Sequence, residues 1–295
     1  MRDLVLTLVR GVAFGSLYAM LAMSFVIIYK ASKVISFAQP ALMLAGAVLV
    51  SYLAGPVGFY LAVPLAALGI AAFALGLERT TIRPMIGRPV FVVAIITLGL
   101  DIAIRVVVNI AIGPNVRNVG DPWGLSTVDV LGLPVQQRYL AMVLVLVVVS
   151  AALYAFFRYS RYGLAMRAAS LDQEVALVQG VSVGGVMAMS WAMAGGLAAV
   201  AGAFIGTGGG VDQATWVIAL KALPAIIIGG LDSIAGAVVG GLAVGVVESL
   251  VATYQDDVAP WLGSNFSLVS PYVLLLLVLL VRPYGFFGTR EVERV

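Results

Sequence analysis

The sequence has little charge and lacks the residues on which much enzyme chemistry depends. Its 295 residues include no cysteine and no histidine, which excludes disulfides, thiolate metal sites, cysteine nucleophiles and the commonest general base. Only 11% of the residues are charged, against about 25% in an average soluble domain. With 62% hydrophobic residues and a mean hydropathy of +1.09, too few polar side chains remain to cover a soluble surface. The composition therefore indicates an integral membrane protein.

Nucleotide-binding and metal-binding motifs are absent as well. The sequence contains no G-x-x-x-x-G-K-[ST] run, which excludes a P-loop in this chain, and no His-based zinc pattern. It has no basic patch that would support nucleic-acid binding. A membrane-embedded enzyme is disfavoured because carboxylates do not cluster within the apolar runs. We therefore expect no metal, no cofactor and no nucleic-acid partner, and an energy source in a partner subunit or an ion gradient.

Long apolar runs without strict alternation predict transmembrane helices rather than a β-barrel, since about 20 apolar residues are needed for each crossing. The predicted fold is an all-α polytopic bundle of eight or nine spans, with residues 1–295 forming one transmembrane domain. Around Gly229–Ser233 the pattern fits two alternative structures, a pair of tilted helices or a broken, partly re-entrant hairpin. The spans are predicted at residues 4–29, 34–54, 59–77, 89–112, 139–157, 183–206, 214–230, 234–252 and 268–282.

The distribution of Lys and Arg predicts the orientation in the membrane. Eleven of the 17 cationic residues fall in alternate connections, which we assign to the cytoplasm, and the segment 113–138 then lies on the extracytoplasmic side. The N-terminus is expected outside and the C-terminus inside. The eleven are Lys30, Lys33, Arg79, Arg83, Arg88, Arg158, Arg161, Arg167, Arg282, Arg290 and Arg294.

The cytoplasmic segment 158–182 is the longest polar-bearing stretch on its side. Strong helix formers from Leu164 to Val178 predict one helix, and Gly180 is a natural stop. An amphipathic stripe follows steps of three and four residues. A helix that lies on the membrane surface and a helix presented to a cytoplasmic partner both fit this pattern. The stripe consists of Leu164, Ala168, Leu171, Val175 and Val178.

Small residues and isolated charges within the predicted spans indicate close helix packing and ion pairing. Gly236-x-x-x-Gly240 and Gly241-x-x-x-Gly245 place glycines on one helical face, where a neighbouring helix can approach closely. Asp101 and Arg105 are four residues apart and can form an ion pair along one face. Lys221 and Glu248 are further charged residues near span ends.

Five blocks distributed along the chain resemble a known family, the transmembrane permease subunits of branched-chain amino-acid (leucine/isoleucine/valine type) ABC importers. Five blocks in this order are a specific signal. They are Gly15–Tyr29 with Val34–Pro40 and Met43–Gly46; Glu78-Arg-Thr-Thr-Ile-Arg-Pro84 with Thr97–Leu100; Gly163-Leu-Ala-Met-Arg-Ala168 with Asp172, Ala176, Gly180 and Val181; Lys221-Ala222 with Ile228–Gly236, Gly240, Gly241 and Glu248; and Arg282-Pro-Tyr-Gly-Phe-Phe-Gly288.

The resemblance implies an ABC importer transmembrane domain in a bacterial inner membrane, working by alternating access. It implies two cytoplasmic ATPase subunits that bind the ATP, a second homologous permease subunit and an extracytoplasmic substrate-binding protein, with lipid around the spans. It also implies that segment 158–182 is a coupling loop that docks onto an ATPase. The implied coupling residues are Arg167, Ala168, Asp172, Ala176 and Gly180.

One departure from the family pattern concerns the start of the second span. The family has an Asn-Phe-Ala-His-Gly type of run where this chain has Ser36-Phe-Ala-Gln-Pro40, which puts the substrate in question and extends the candidates to related small polar molecules. The polar residues expected along the substrate path are Ser36, Gln39, Thr97 and Asn109. The alternative hypothesis is a secondary transporter or channel that works alone, because such folds often contain interrupted helices.

Overall fold

Helices account for almost all of the regular structure. The computed structural model describes residues 2–130, 132–171, 173–263 and 265–288. The α-helices are α1 (Arg2–Ser32), α2 (Gln39–Val57), α3 (Phe59–Leu77), α4 (Val90–Ile112), α5 (Gln137–Tyr159), α6 (Arg161–Leu171), α7 (Gln173–Val178), α8 (Val183–Gly206), α9 (Val217–Leu220), α10 (Ala222–Gly229), α11 (Ile234–Val258) and α12 (Phe266–Val281). A π turn, Glu78–Ile82, and 3-10 turns at Arg83–Met85 and Pro260–Leu262 complete the helical structure of the described residues.

The apolar helices agree with the predicted polytopic bundle. Within the described ranges, seven helical stretches are long and apolar enough to cross a membrane, and two shorter apolar stretches cover Val217–Gly229 and Phe266–Val281. The predicted bounds 59–77 and 183–206 are those of α3 and α8. The prediction for the second span was wrong at its start, since α2 begins at Gln39 and not at residue 34.

The late start of α2 has a local cause. Lys33 has a φ of +57°, a left-handed conformation that ends α1. Pro40 then occupies the first turn of α2, where the missing N–H costs nothing and the fixed φ favours helix initiation. Residues 33–38 therefore form a non-helical connection between the two helices.

The stretch predicted as one span at 214–230 is broken. Lys221 separates α9 from α10, and Gly230, with a φ of +105°, ends α10. Thirteen residues from Val217 to Gly229 extend only about 20 Å as a helix, whereas a hydrocarbon core is about 30 Å thick. Since α10 packs directly against α11, as it would in either arrangement, two tilted helices and a broken hairpin both stay predictions.

The chain forms two compact units. The first comprises Met1–Val26, Trp123–Leu146 and Leu220–Val295, and the second comprises Ile27–Pro122 and Val147–Ala219. In the first, α10, α11 and α12 pack on one another; in the second, α2 packs against α3, α4 and α8. The single domain expected over residues 1–295 stays a prediction.

A short β-hairpin lies in the segment 113–138, for which no strand was predicted. Strand β1 (Thr127–Val130) pairs antiparallel with β2 (Leu133–Gln136). It belongs to the first unit and is the only sheet in the described part of the chain.

The glycines of α11 bring helix backbones together, which confirms the predicted close packing. A Cβ placed on Gly245 would meet the backbone of Gly15 and the carbonyl oxygen of Gly11, and one on Gly241 would meet the backbone of Ala19. On its other side, α11 approaches α10 at Gly236 and Gly240 in the same way. Because backbone atoms cannot rotate away as a side chain can, these contacts strongly disfavour any larger residue.

The substitution Gly245→Ala is expected to destabilise the protein by about 1–3 kcal/mol, the usual cost of overpacking a close-packed core. Gly99→Ala is the matched control, since a Cβ on Gly99 in α4 would meet nothing within 4 Å, and alanine should there be neutral or stabilising. Equilibrium unfolding in mixed detergent micelles measures both. Equal effects of the two substitutions would contradict the packing argument.

Candidate transport pathway and coupling surface

The segment between α5 and α8 begins with a tight, capped turn. Ser160 Oγ accepts a hydrogen bond from the N–H of Gly163 at 2.8 Å, which satisfies a free donor in the first turn of α6. A Cβ on Gly163 would collide with the backbone of Phe156 and Phe157. The glycine therefore allows α6 to turn directly against the end of α5, which fixes how the segment leaves the membrane-spanning helix.

The segment ends in an equally well-defined way. The N–H of Gly180 donates to the carbonyl of Leu177 at 2.9 Å, and that of Val181 donates to the carbonyl of Ala176 at 2.9 Å. With a φ of +81° at Gly180, these bonds form a Schellman motif. The predicted stop at Gly180 is confirmed. Ser182 then caps α8 by accepting from the N–H of Gly185 at 3.1 Å.

Between these ends, α6 and α7 are helical on either side of Asp172, which lies outside the described residues. The described part of the segment therefore agrees with the helix predicted over 164–178. A contact with a distant segment joins Gln173 to the end of α1, where its Nε2 donates to the carbonyl of Ala31 at 2.7 Å.

An apolar groove of about 490 Å³ is lined by residues of α6, of α7 and of the turn that follows α7. Most of the predicted stripe lines it, but the side chains are largely uncovered: Leu171 is 88% exposed. Outside the groove, the segment is buried at Met166 and Ala169. We call this groove the coupling groove; its lining residues are Arg161, Leu164, Ala165, Ala168, Leu171, Val175, Ala176, Gln179 and Val181.

The structure brings some of the predicted coupling residues together. Ala168 and Ala176 line the coupling groove, and Gly180 ends the helix beside it. Arg167 is half-buried and does not line the groove, and its Nε is buried without a hydrogen-bond partner among the described residues. Asp172 lies outside the described residues.

The N-terminus of α2 is held by two side chains from α4. The N–H of Phe37 donates to Thr97 Oγ1 at 3.1 Å, and the N–H of Ala41 donates to Asp101 Oδ1 at 3.1 Å. Asp101 thus caps the first turn of α2 from a neighbouring helix, where the helix dipole favours a negative charge. It lies near the middle of the 23-residue α4, so α2 begins far from either end of that helix.

Asp101 is also half of an ion pair. Arg105 Nη2 lies 2.6 Å from Asp101 Oδ2, in the i, i+4 arrangement that the sequence analysis expected. On its far side the guanidinium of Arg105 stacks on the ring of Trp216, with Cζ 3.9 Å from the ring centroid. A cation over an aromatic ring is stabilised by the ring quadrupole. The sequence carries no signal that joins Trp216 to Arg105, because 111 residues separate them.

Three of the expected path residues keep buried polar atoms without partners in the described structure. They are Ser36 Oγ, both amide atoms of Gln39, and Asn109 Oδ1. Ser36 and Gln39 are 1% and 0% exposed and flank the start of α2. The fourth, Thr97, differs because its hydroxyl is used twice, donating to the Ala94 carbonyl at 2.8 Å as well as accepting from Phe37. An unpaired buried polar group costs about 1–3 kcal/mol, so this concentration calls for an explanation.

The first unit contains a second buried ion pair. Lys221 Nζ lies 2.5 Å from Glu248 Oε1, and Tyr18 Oη donates to Glu248 Oε2 at 2.8 Å. The ammonium group also lies 5.8 Å from the centre of the Tyr18 ring. These three residues connect α1, the break before α10, and α11. Ion pairing was expected for both charges, without a named partner, and the structure pairs them with each other; Tyr18 was not expected.

The described residues contain no group of three or more Asp or Glu side chains that could hold a metal ion. Asp101 pairs with Arg105, and Lys221 pairs with Glu248. The buried side-chain atoms without a hydrogen-bond partner among the described residues are neutral hydroxyl and amide atoms, the indole nitrogen of Trp191, single nitrogens of Arg105 and Arg167, and the carboxylate oxygens of Glu78. Such groups can donate and accept hydrogen bonds to a small polar molecule. This chemistry suits the binding and passage of such a molecule.

A family model described as the permease component of branched-chain amino acid transport systems matches residues 7–280. Among curated proteins, the chain is 30% identical to the high-affinity branched-chain amino acid transport system permease protein LivH of Salmonella typhimurium, over 97% of this chain and 96% of LivH. It is 30% identical to the corresponding protein BraD of Pseudomonas aeruginosa, over 98% of this chain and 97% of BraD.

A solved structure shares the fold at low sequence identity. PsaBC from Streptococcus pneumoniae, determined in complex with a Fab, matches 97% of this chain and 92% of its own chain with a TM-score of 0.50 and 14% identity. This likeness concerns the arrangement of the helices alone.

Proposed function

The chain belongs to the family of branched-chain amino acid transport system permease components, and from this premise we propose that it forms the membrane path of an ATP-driven importer for a branched-chain amino acid or a related small polar molecule. The observation that carries the proposal is the interrupted connection between α1 and α2, with buried hydroxyl and amide groups at the start of α2. Discontinuous helices with free polar groups are a recurring way to bind a polar solute at membrane depth.

Within this path, the side chains of Ser36, Gln39 and Asn109 provide hydrogen bonds to the passing solute. Thr97 has a supporting role, because its hydroxyl holds the backbone of Phe37. The Asp101–Arg105 pair fixes the N-terminus of α2 and keeps both charges neutralised. A permease needs only weak contacts along such a path, because a tightly held solute would not leave.

The coupling groove is the proposed docking site for one of two cytoplasmic ATPase subunits, which bind and hydrolyse the ATP. A concave apolar groove with a polar rim suits a protruding element of a protein, whereas a helix lying on a bilayer presents a convex face. Arg167, Ala168, Asp172, Ala176 and Gly180 are the proposed coupling residues. Movement of the ATPases would alternate the path between outward-open and inward-open states, as in other two-state transport equilibria.

The remaining parts of the importer follow from the same premise. A second, homologous permease subunit completes the path, and an extracytoplasmic binding protein delivers the solute. The chain itself carries no cofactor and binds no nucleic acid. We place it in the inner membrane of a bacterium, with the N-terminus outside, segment 113–138 on the extracytoplasmic side, segment 158–182 in the cytoplasm, and lipid around its spans.

Reconstitution of the complete complex in proteoliposomes tests the proposed path. Gln39→Leu should lower ATP-driven uptake of radiolabelled leucine about tenfold, since it removes hydrogen bonds worth about 1–1.5 kcal/mol to the solute. Ser36→Ala should act in the same direction. Ser51→Ala is the matched control, because Ser51 Oγ bonds to the Val48 carbonyl within α2, and it should leave uptake unchanged.

Two results would contradict these proposals. Wild-type uptake rates in both path variants would remove Ser36 and Gln39 from the path. Uptake driven by an ion gradient, catalysed by this chain alone in the absence of ATPase subunits, would instead support the stand-alone secondary transporter.

A further inference from the structure

The hydrogen bond from Gln173 to Ala31 joins two segments that lie 142 residues apart in the sequence. Its geometry is good, with Nε2 2.7 Å from the carbonyl oxygen. Ala31 belongs to the last turn of α1, where carbonyl groups have no partner within the helix. The amide of Gln173 therefore caps the end of α1 from outside.

The α1 end of this bond leads directly to the buried polar groups of the path. After Ala31 the chain turns at Lys33, with its φ of +57°, and Ser32 Oγ accepts from the N–H of Val34 at 3.2 Å. These local bonds make the turn a defined structure. Ser36 lies only five residues beyond Ala31, and Gln39 is the first residue of α2. A displacement of the end of α1 is therefore passed to Ser36 and Gln39 through a short, constrained connection.

The α7 end of the bond leads directly to the coupling groove. Gln173 is the first residue of α7, and Val175 and Ala176 of the same helix line the groove. Ala176 is buried, and the Schellman motif at Gly180 anchors the C-terminal end of α7. Because Gln173 lies one helical turn from Ala176, pressure on the groove moves Gln173 with it.

We propose that Gln173 is a positioning residue for transport, which transmits movement of the coupling groove to the α1–α2 connection through its bond to the Ala31 carbonyl. This inference rests on the proposed function, since it assumes an ATPase at the groove and a solute at Ser36 and Gln39. A chain of hydrogen bonds and rigid elements with two arrangements is the physical form such coupling takes. Gln173 touches neither the solute nor ATP in this scheme.

The test uses the complete complex in proteoliposomes, with the binding protein and leucine as the probe. Gln173→Leu keeps the size of the side chain and removes the donor. We expect normal co-purification of the ATPase subunits and unchanged basal ATP hydrolysis. Stimulation of hydrolysis by leucine-loaded binding protein, and leucine imported per ATP, should fall by about threefold to tenfold, the range that one hydrogen bond contributes to an equilibrium.

Two further variants separate transmission from a merely structural role. Gln173→Lys keeps an N–H donor of sufficient reach, and a cation is favoured at a helix C-terminus, so it should restore most of the stimulation. Gln213→Leu removes a similar bond, from the Gln213 amide to the Gly113 carbonyl at 3.0 Å, which lies in the part of the chain assigned to the opposite membrane face. It should leave the stimulation unchanged.

Unchanged stimulation and stoichiometry in Gln173→Leu would overturn the proposal and leave the path and the groove standing. Loss of ATPase co-purification in that variant would also overturn it, because Gln173 would then act in docking. If the wild-type complex gave no ATP hydrolysis stimulated by leucine, isoleucine, valine or related small polar molecules, the proposed function would fail and this inference would fail with it.

Discussion

Replacing Lys221 with methionine is expected to destabilise the protein by about 3–5 kcal/mol, the usual cost of leaving one partner of a buried ion pair alone. The side chains of Lys221 and Glu248 are 10% and 17% exposed, so water does little to compensate Glu248 when the ammonium group is removed. Tyr18 Oη donates to the same carboxylate, but one neutral donor cannot neutralise a charge. Equilibrium unfolding in mixed detergent micelles measures the loss.

Removing the whole polar cluster should be far less harmful than removing its cation. A buried pair replaced by apolar residues of similar volume is often neutral in stability, so Lys221→Met combined with Glu248→Met should recover most of the loss. The hydroxyl of Tyr18 would then lack its acceptor, at a cost of about 1–3 kcal/mol, and adding Tyr18→Phe should recover that as well. Wild-type stability of Lys221→Met alone would contradict the argument, because it would mean that the carboxylate of Glu248 does not need Lys221 to compensate its charge.

Hydropathy and local spacing predicted much of this fold for a clear physical reason. A helix that crosses a membrane must satisfy its own backbone hydrogen bonds, so a long apolar run leaves few alternatives. That is why the bounds of α3 and α8 are those expected. The pairing of Asp101 with Arg105 could be predicted for a similar reason, because a separation of four residues places two side chains on one face of a helix.

Contacts between segments that are distant in the sequence could not be predicted from local spacing. Nothing local to Trp216 indicates that its ring covers Arg105, and nothing local to Gln173 indicates that its amide reaches Ala31. The break at Lys221 was equally hidden, because hydropathy averages over a window and Val217–Gly229 is apolar throughout except at that lysine. The sequence indicated which polar residues belong to the cluster at the start of α2. It did not indicate that the hydroxyl of Thr97 already forms hydrogen bonds with the backbone.

The coupling groove provides the second large expected effect. Leu171→Asn should abolish substrate-stimulated ATP hydrolysis in the reconstituted complex, because it places an amide in an apolar contact. If Leu171 is one of the few hot-spot residues of the contact, its loss costs about 2 kcal/mol or more, which is about a 30-fold loss of affinity. Since Leu171 is 88% exposed in the chain by itself, the substitution should leave the stability of the isolated chain within about 0.5 kcal/mol of wild type.

A matched leucine in the same segment distinguishes the two interpretations that the amphipathic stripe left open. Leu177 is 56% exposed on α7 and does not line the groove. If the segment docks onto an ATPase, Leu171→Asn should release that subunit during co-purification while Leu177→Asn retains it. If the segment instead lies on the bilayer, both substitutions should weaken its membrane contact to a similar degree and neither should release the ATPase. Equal and small effects of the two variants on co-purification would therefore reject the docking site, whereas a loss confined to Leu171 requires a partner shaped to the groove.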